Sequence, residues 1–311
     1  MKKMNYSTII VTYNRSEKLV QAVNSHLTQT IKPQKIIIVD NASTDGTNTL
    51  FESGGVFYKN DNILYHPLRS NIGGSGGFQV ALEKAMLTET DWVLFGDDDA
   101  YFDADYVENL YDTYLSLNSS EKIGVLTGTI KKFSTHNVEL GSRSKIRNVN
   151  YVLLTPLTEE EYKTDTNIDV FTFVGPMIKT KVIQKVGNIH SDYFIHYDDS
   201  EYSLRIKERL FKSINVADAV VFHDSEGAKQ LPIRDWRLYY DIRNRSHMMI
   251  LHGKANKFFK IIAVILLAMR TSKSVLIRKK PSNYRYNIMA IICGLRDALA
   301  QRMGKNEKFL P

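Results

Sequence analysis

Cysteine is nearly absent from this sequence, which excludes two kinds of architecture. Cys293 is the single cysteine among 311 residues, so neither an intramolecular disulfide nor a zinc cluster of cysteine thiolates can form. With 43% hydrophobic and 24% charged residues, the chain is neither disordered nor collagen-like, and it can bury one large core or two modest ones. The low cysteine content fits a reducing compartment, and we therefore expect a cytoplasmic protein.

Long hydrophobic runs are missing as well. The longest uninterrupted run, Ile261–Met269, has nine residues, whereas a membrane-spanning helix needs about 20. We therefore predict no transmembrane segment, although a helix lying on a membrane surface stays open. Residues 1–14 contain too short an apolar stretch for a signal peptide. We find no internal repeat and no low-complexity linker.

Charge is unevenly distributed along the chain. The formal net charge is +7, but residues 253–311 hold 13 Lys and Arg against 2 Asp and Glu, a local charge of +11. Residues 1–252 hold 28 basic and 32 acidic residues, a charge of −4. The basicity therefore belongs to the C-terminal region, and the rest of the chain is mildly acidic.

The N-terminal third alternates between strand and helix patterns. Ser7–Thr12 and Lys35–Asp40 are β-branched runs, and the apolar spacing in Ser16–Gln29 predicts a helix between them. Such a βαβ unit makes its two strands parallel. Phe78–Leu87 and Trp92–Phe95 predict a further helix and strand. Because these strands are apolar without interruption, we predict an α/β protein with a mostly parallel open sheet, covered by helices on both faces.

Later parts of the chain continue this pattern and then change. Gly124–Ile130 and Asp169–Val174 are strand-like, and residues 131–168 form a polar excursion between them. From about Arg234 the sequence becomes helical and basic. We therefore predict two regions, residues 1–233 and a helical appendage of residues 234–311.

Polar residues follow the predicted strands where each one ends. Thr12–Arg15 follow the first strand, Asp40 and Asn41 the second, and Asp97–Asp99 a later one. Ligands of open α/β sheets bind beyond the carboxyl ends of the strands. We therefore expect these residues to converge on one cleft.

The consecutive carboxylates Asp97, Asp98 and Asp99 form the strongest single motif. They repel one another directly after an apolar strand, and a divalent cation bound to diphosphate oxygens would resolve this conflict, because hard cations prefer oxygen ligands. A solvated acidic turn is the alternative. The stretch Asn71–Phe78 has four glycines that would let a phosphate approach the backbone, with Arg69 nearby; a flexible turn is the alternative.

Two further motifs carry titratable side chains. Asp198 and Asp199 precede a predicted helix, where they are either a general base or a helix cap, and Glu201 and Arg205 are spaced as a salt bridge on that helix. His223 ends an apolar strand. It is either a core residue or an additional ligand of the metal site.

The motifs together resemble glycosyltransferase family 2, whose members have the GT-A fold. The resemblance covers about residues 5–226 and is carried, in chain order, by IIVTYNR, IIIVDNASTDGT, NIGGSGGF, FGDDDA, YDDSEYSLR and FHDSEG. NIGGSGGF, the Asp triplet and DDSEY are most similar to the bacterial galactofuranosyltransferases, which use UDP-galactofuranose. Rhamnosyltransferases, which use dTDP-rhamnose, share much of the pattern and are the alternative.

The resemblance implies a role for each matching residue. Asp199 matches the catalytic base, with Asp198 where the family has Glu, and Asp97, Asp99 and His223 match the metal ligands. The residues that it implies around the nucleotide and the sugar diphosphate are Thr12, Tyr13, Arg15, Asp40, Asn41, Arg69, Asn71, Gly73, Gly74, Gly76, Gly77, Asp97 and Asp98.

The implied activity is an inverting sugar transfer that needs Mn²⁺ or Mg²⁺. The donor would be a UDP-sugar, and the acceptor a polyprenyl-diphosphate-linked glycan of a cell-surface polysaccharide such as O-antigen, capsule or cell wall. The protein would then lie on the anionic inner face of the bacterial cytoplasmic membrane. A homo-oligomer is compatible with this assignment, and no nucleic acid partner is expected.

Two segments of the C-terminal region either pack inside the protein or make contacts outside it. Lys257–Arg270 is apolar nearly all round as a helix, so it is either buried or, with basic residues around it and at Arg278–Lys280, bound to anionic headgroups. Four side chains of the region's first helix either face the acceptor or pack internally: Tyr239, Tyr240, Arg243 and Asn244.

Two other function classes fit the sequence less well. An NAD-dependent dehydrogenase would need its glycine loop after the first strand, and the Asp triplet would have no role in it. A non-catalytic, basic-tailed module that binds nucleic acid is favoured only by the net charge.

Overall fold

The computed structural model describes residues 4–117, 122–225, 235–277 and 284–310. Three predicted features lie outside the described residues: the boundary between residues 233 and 234, the last two residues of the FHDSEG motif, and the basic cluster Arg278–Lys280. The division of the chain into two regions therefore stays a prediction.

Twelve strands and eight helices are found in the described residues. The strands are β1 (Tyr6–Thr12), β2 (Ile36–Asp40), β3 (Ile63–Pro67), β4 (Trp92–Asp97), β5 (Ala100–Phe102), β6 (Ile123–Lys132), β7 (Arg143–Asn148), β8 (Leu153–Pro156), β9 (Thr166–Ile168), β10 (Val170–Phe171), β11 (Met177–Lys179) and β12 (Lys212–His223). The helices are α1 (Ser16–Leu27), α2 (Gly73–Ala85), α3 (Tyr106–Ser116), α4 (Thr180–Val186), α5 (Asp198–Glu208), α6 (Arg237–His252), α7 (Lys257–Ile277) and α8 (Tyr284–Leu299).

A mixed sheet with the strand order β3-β2-β1-β4-β11-β6-β12-β5 forms the centre of the fold. β1, β2, β3 and β4 are parallel, and β2 is buried at every residue. Alternate residues of these strands point to opposite faces. Ile10 packs with α1 on one face, and Ile9 packs with Phe78 of α2 on the other. The predicted βαβ unit and the α/β class are confirmed.

The other half of the sheet contains antiparallel pairs, and these bring His223 to the Asp triplet. β11 is antiparallel to β4 and β6, and β12 is parallel to β6 but antiparallel to β5. β5 directly follows the turn at Asp98 and Asp99. His223, at the end of β12, pairs with Ala100 of β5. Two segments that are distant in sequence thus meet at one edge of the site.

A second, three-stranded antiparallel sheet combines β7 and β8 of the polar excursion with β10, which follows the excursion. The predicted strand Asp169–Val174 is correspondingly shorter, since only Val170–Phe171 pair as β10. Phe173 leaves the strand to pack against Phe78 and Phe95 in the core. The apolar run is therefore explained by core packing beyond the end of β10.

The glycine-rich stretch is the start of a helix rather than a loop. α2 begins at Gly73, earlier than the predicted Phe78. Gly73 has a φ of +81°, and a Cβ atom there would lie 2.1 Å from the carbonyl oxygen of Phe194. Glycine at this position therefore permits α2 to pack closely against the loop that precedes α5.

The three C-terminal helices pack on one another, and α6 also packs against the sheet region. Tyr240 stacks on Phe194, Trp236 packs against Tyr240, and Met248 packs in a cluster with Val170 of the small sheet. α7 contributes only Val264 and Ala268 as buried residues, so the alternative of a buried helix at residues 257–270 does not hold. No helix among the described residues is long and apolar enough to cross a membrane.

Candidate active site

A cavity of about 730 Å³ opens beyond the carboxyl ends of β1 and β4. Its volume lies within the range of about 300–1,000 Å³ that is usual for ligand sites. The predicted site residues that line it are Thr12, Tyr13, Arg15, Asn41, Asn71, Gly73, Gly74, Asp97, Asp98, Asp198, Asp199 and His223. The convergence expected from the strand ends is therefore observed.

Asp98 anchors the loop after β1 through hydrogen bonds. Its carboxylate accepts hydrogen bonds from Thr12 Oγ1 at 2.8 Å and from Arg15 Nη1 at 3.0 Å, and the backbone N–H of Tyr13 donates to it at 3.3 Å. Asp98 is buried. The middle residue of the triplet thus fixes the loop that carries Tyr13 and Arg15 into the cavity.

Asp97, Asp99 and His223 form a group that could hold a metal ion. One ligand atom from each lies within 4.8 Å of the others, and His223 Nε2 is 3.4 Å from Asp99 Oδ1. Two carboxylate oxygens and an imidazole nitrogen suit Mn²⁺, and the oxygens suit Mg²⁺ as well. The predicted ligand set therefore fits a divalent cation.

The charges of this group depend on one another. Burial, followed by the negative charge of Asp99, raises the pKa of Asp97 to about 7. Burial alone would lower the pKa of His223, but hydrogen bonds to Asp99 and Glu139 outweigh burial and raise that pKa to about 10. The group therefore attracts positive charge.

Glu139 is a site residue that sequence reasoning missed. Its Oε2 lies 3.0 Å from His223 Nδ1, on the side of the ring away from Asp99, and it lines the cavity. A carboxylate behind a metal-binding imidazole fixes the orientation of the ring. No motif surrounds Glu139 in the polar excursion, so the sequence offered no signal for it.

Asn41 links the end of β2 to the start of α2. Its Nδ2 donates to the carbonyl oxygen of Gly73 at 2.9 Å, and its Oδ1 accepts from the backbone N–H of Ile72 at 2.9 Å. Asn71 Oδ1 accepts from the backbone N–H of Gly73 at 2.8 Å. These contacts hold the backbone of Gly73 and Gly74 at the cavity wall.

The remaining predicted residues, among them Asp99, lie around the cavity rather than on its wall. Asp40 is buried and accepts a hydrogen bond from the Tyr65 hydroxyl at 2.6 Å. Gly76 and Gly77 face hydrophobic side chains behind the helix, where a Cβ atom would lie within 3 Å of a neighbour. Arg69 is exposed, in the segment between β3 and α2.

Asp198 and Asp199 begin α5 and line the cavity. Asp199 Oδ1 accepts a hydrogen bond from the backbone N–H of Ser200 at 2.5 Å. Burial of its carboxyl group, together with the negative charge of Asp198, raises the pKa of Asp199 to about 7. A carboxylate that titrates near neutral pH is suited to general base chemistry. Glu201 and Arg205 form the predicted salt bridge, at 2.9 Å.

The loop before α5 has an unusual backbone conformation. Phe194, His196 and Tyr197 have φ angles of +64°, +64° and +65°, a region that non-glycine residues rarely occupy. His196 Nδ1 lies 2.5 Å from Asp241 Oδ1 of α6. Such conformations persist only where surrounding contacts impose them, and they are frequent at functional sites.

Arg243 and Asn244, both fully buried, impose this conformation. Asn244 Nδ2 donates to the carbonyl oxygens of residues 193, 195 and 196 at 2.7–3.0 Å. Arg243 Nη2 donates to those of residues 192 and 193. The buried Tyr239 and Tyr240 pack around Arg243. Of the two alternatives for this element, internal packing is the one observed; Trp236 and Arg237 line the cavity instead.

The region that carries most of this cavity matches a known family. Residues 7–187 match the family described as glycosyl transferase family 2. The chain belongs to glycosyl transferase family 2. The predicted membership is confirmed, and the match includes the Asp triplet, whereas Asp198, Asp199 and His223 lie beyond it.

Curated relatives include transferases for two different sugars. Galactofuranosyltransferase GlfT2 of Mycolicibacterium smegmatis is 24% identical over 275 residues, 80% of this chain and 41% of that protein. The O-antigen chain rhamnosyltransferase WbaN of Salmonella anatum is 27% identical over 240 residues, 76% of this chain and 70% of that protein. The chain thus spans about two fifths of the length of the galactofuranosyltransferase.

Solved structures similar to this chain establish its fold. Staphylococcus aureus TarS 1-349 in complex with UDP-GlcNAc has a TM-score of 0.58 and 18% identity, with 96% of this chain and 88% of that chain covered. Mannosyltransferase PcManGT of Pyrobaculum calidifontis in complex with GDP-Man and Mn²⁺ has a TM-score of 0.58 and 16% identity, with 97% and 89% covered. The fold is GT-A, as predicted.

Proposed function

We propose that the protein is an inverting, metal-dependent glycosyltransferase that moves galactofuranose from UDP-galactofuranose to a hydroxyl of a lipid-linked glycan. The observation that carries this proposal is that one cavity is lined both by Asp97 and His223, which form the candidate metal group with Asp99, and by Asp199. The group suits a cation that holds a nucleotide diphosphate, and Asp199 suits proton removal. Membership of the family supports sugar transfer as the reaction.

The proposed reaction has a single displacement at the anomeric carbon. Asp199 accepts the proton of the acceptor hydroxyl. The hydroxyl oxygen forms a bond to the anomeric carbon while the bond between that carbon and the UDP oxygen breaks. Attack from the face opposite the diphosphate inverts the configuration. A divalent cation, when bound, supplies positive charge to the diphosphate leaving group. Asp198 supports the base, since its negative charge contributes to the raised pKa of Asp199.

Other cavity residues would position the donor. Tyr13 is 41% exposed beside the buried loop anchor and offers its ring to the uracil face. The backbone at Gly73 and Gly74 lies at the start of a helix, where N–H groups favour negative charge. These residues would hold the diphosphate and the sugar between the metal group and Asp199.

The choice of galactofuranose rests on the relatives. Galactofuranosyltransferase GlfT2 aligns with this chain over 275 residues at 24% identity, and rhamnosyltransferase WbaN over 240 residues at 27% identity. The longer alignment, together with the resemblance of NIGGSGGF to the galactofuranosyltransferases, favours galactofuranose. Transfer of rhamnose from dTDP-rhamnose is the second candidate, favoured by the fact that WbaN is covered over 70% of its length.

A donor comparison tests the proposal. The full chain would be incubated with Mn²⁺, a lipid-linked acceptor and either UDP-galactofuranose, UDP-galactopyranose or dTDP-rhamnose. We expect transfer from UDP-galactofuranose and none without the metal. Transfer from dTDP-rhamnose alone would establish the second candidate. UDP binding that does not depend on Mn²⁺, without transfer from any donor, would contradict both candidate functions.

We also propose that α7 docks the protein on an anionic membrane surface, where a lipid-linked acceptor is presented. Phe258, Phe259 and Leu266 are 64%, 55% and 54% exposed, an unusual amount of large apolar surface on one helix. Lys257 and Arg270 are exposed on the same helix. Apolar side chains with basic neighbours suit the interface of a bilayer that contains anionic lipids.

Liposome binding tests the membrane proposal. We expect the full chain to sediment with vesicles that contain phosphatidylglycerol but weakly with neutral vesicles, and the substitution of Phe258, Phe259 and Leu266 by Ser to abolish sedimentation. Leu87→Ser and Leu210→Ser remove similarly exposed leucines elsewhere and serve as matched controls. Unchanged sedimentation of the triple variant would refute the proposal.

A further inference from the structure

We propose that a second cavity, beyond Asp199, is the subsite for the acceptor glycan and takes the sugar ring next to the one that reacts. The proposal rests on the proposed transferase function. The cavity has a volume of about 290 Å³. It lies between the small sheet of β7, β8 and β10, the first turn of α5, and α6.

The position of the cavity is set by the first turn of α5. Asp198 and Asp199 of this turn line the main cavity, whereas Tyr197 and Ser200, on either side of them, line the second one. Thr172 lines both cavities. The two cavities therefore adjoin at Thr172, next to the turn that carries Asp199, and we infer that an acceptor with its reacting hydroxyl at Asp199 extends from one into the other.

The lining of the cavity complements both surfaces of a sugar ring, its polar hydroxyl groups and its apolar C–H face. Arg245 of α6 and the hydroxyl groups of Ser144 and Ser200 can hydrogen-bond to sugar oxygens. The Tyr197 ring packs with Met248 and neighbouring aliphatic side chains, and this apolar wall can cover the C–H face of a ring. A purely apolar or purely acidic ligand would match only part of this lining.

The size of the cavity limits what it can hold. A volume of about 290 Å³ is at the lower end of the range of about 300–1,000 Å³ found for ligand sites. It therefore suits one sugar ring rather than an oligosaccharide. The ring that carries the reacting hydroxyl would lie in the main cavity, beside Asp199, and the preceding ring in the second.

The proposal can be tested by binding, independently of turnover. Octyl disaccharides of galactofuranose, galactopyranose or rhamnose would be titrated into the full chain with UDP and Mn²⁺ present and followed by saturation-transfer NMR. We expect Arg245→Met to weaken binding of the preferred disaccharide at least tenfold and to leave UDP affinity within twofold. Arg209→Met, which changes an exposed arginine at the C-terminal end of α5, is the matched control and should bind like the unaltered chain.

A cavity-filling variant, Ser144→Leu, provides a second test that removes no charge. It should weaken the disaccharide as Arg245→Met does. Equal disaccharide binding by both variants and the unaltered chain would overturn the proposal, as would a chain that binds UDP with Mn²⁺ but none of the disaccharides. The latter result would leave the proposed transferase function standing. Failure of Mn²⁺-dependent UDP binding, with disaccharide binding intact, would instead contradict the donor assignment and support this subsite.

Discussion

The three carboxylates at positions 97–99 are chemically identical, yet the fold gives them different partners. Asp98 accepts hydrogen bonds from Thr12 and Arg15 and anchors a loop, whereas Asp97 and Asp99 lie beside His223, and Asp99 also pairs with Arg15 at 2.6 Å. Removing these negative charges from water costs free energy, which neighbouring positive side chains or a bound cation have to offset. The residue-scale predictions therefore concern which carboxylate does what.

Asp99→Asn should lose the metal-dependent part of UDP binding. Replacing a charged ligand of the Asp97, Asp99 and His223 group should lower Mn²⁺ affinity at least about tenfold, since even changes behind metal ligands have effects of that size. Calorimetry of UDP binding with and without Mn²⁺, and electron paramagnetic resonance of Mn²⁺ itself, would measure this. Asp105→Asn, at an exposed acid nearby, should behave like the unaltered chain.

The turnover number should rise with pH and level off above about pH 7. The pKa of Asp199 is raised to about 7, so below that pH the carboxyl carries its own proton and cannot accept another. The measurement is kcat against pH at saturating substrates. Because the pKa of Asp97 is also raised to about 7, the profile should be repeated at tenfold higher Mn²⁺. A limb that shifts with Mn²⁺ would belong to Asp97 and would contradict the assignment to Asp199.

At the scale of elements, two helix starts and one buried pair determine the shape of the site. α2 approaches the loop before α5 through Gly73, and α6 holds that loop in a left-handed conformation through Asn244. Asp199 follows the loop directly. Its position therefore depends on contacts made by residues that do not touch the substrate.

Gly73→Ala and Gly74→Ala should differ sharply in stability. A Cβ atom at Gly73 would lie 2.1 Å from the Phe194 carbonyl oxygen, at a φ of +81°, whereas nothing lies within 4 Å of a Cβ atom at Gly74. Backbone strain and the clash should cost Gly73→Ala about 2 kcal/mol or more. Denaturant unfolding would measure both variants. Equal stability would show that α2 can shift away from the loop.

Asn244→Ala should lower kcat more than it weakens donor binding. It removes hydrogen bonds to three carbonyl oxygens of the loop before α5, so Asp199 loses its fixed position while the metal group keeps its own. We expect at least a tenfold loss of kcat, since small misplacements of catalytic groups have large effects, with donor affinity within about threefold. Asn109→Ala, which removes one exposed hydrogen bond to a carbonyl, is the control.

At the scale of the whole molecule, α6 ties the C-terminal helices to the sheet region through a cluster of charges. His252 of α6 lies 2.8 Å from Glu208 and 3.3 Å from Glu201, both on α5. Burial alone would lower the pKa of His252, but its hydrogen bonds to Glu201 and Glu208 outweigh burial and raise that pKa. Protonated His252 therefore favours the association of α6 with α5.

His252→Gln should destabilise the protein most at low pH. A histidine whose pKa is higher in the folded chain contributes its full stabilisation below the unfolded value of about 6.5, and loses it as pH rises through the folded value. We expect a loss of about 2 kcal/mol at pH 6, which is typical of hydrogen bonds to charged groups, and a smaller loss at pH 9. The difference in unfolding free energy between the two chains, measured across this range, is the test. A difference that does not change with pH would contradict it.

Local patterns were sufficient for much of the fold. The β-branched runs and the helix between them were predicted because β-branched composition and the spacing of apolar residues are local properties of the sequence, even though β1 pairs with the distant β4. The start of α2 was misplaced because glycine disfavours helices, and only the contact with Phe194 explains Gly73. The strand was predicted too long, as Asp169–Val174, because the apolar run continues past the paired residues. Phe173 belongs to this run but packs in the core against Phe78 and Phe95.

The sequence by itself determined the family, the α/β class and the chemical character of the site, because motif residues and strand periodicity are written in consecutive positions. Only the tertiary structure decided that Glu139 supports His223, that Asp98 anchors the loop after β1, and that Arg243 and Asn244 hold the loop before Asp199 in place. These roles arise from contacts between segments far apart in the chain. No local pattern encodes such contacts, because their geometry exists only once the sheet and α6 have packed.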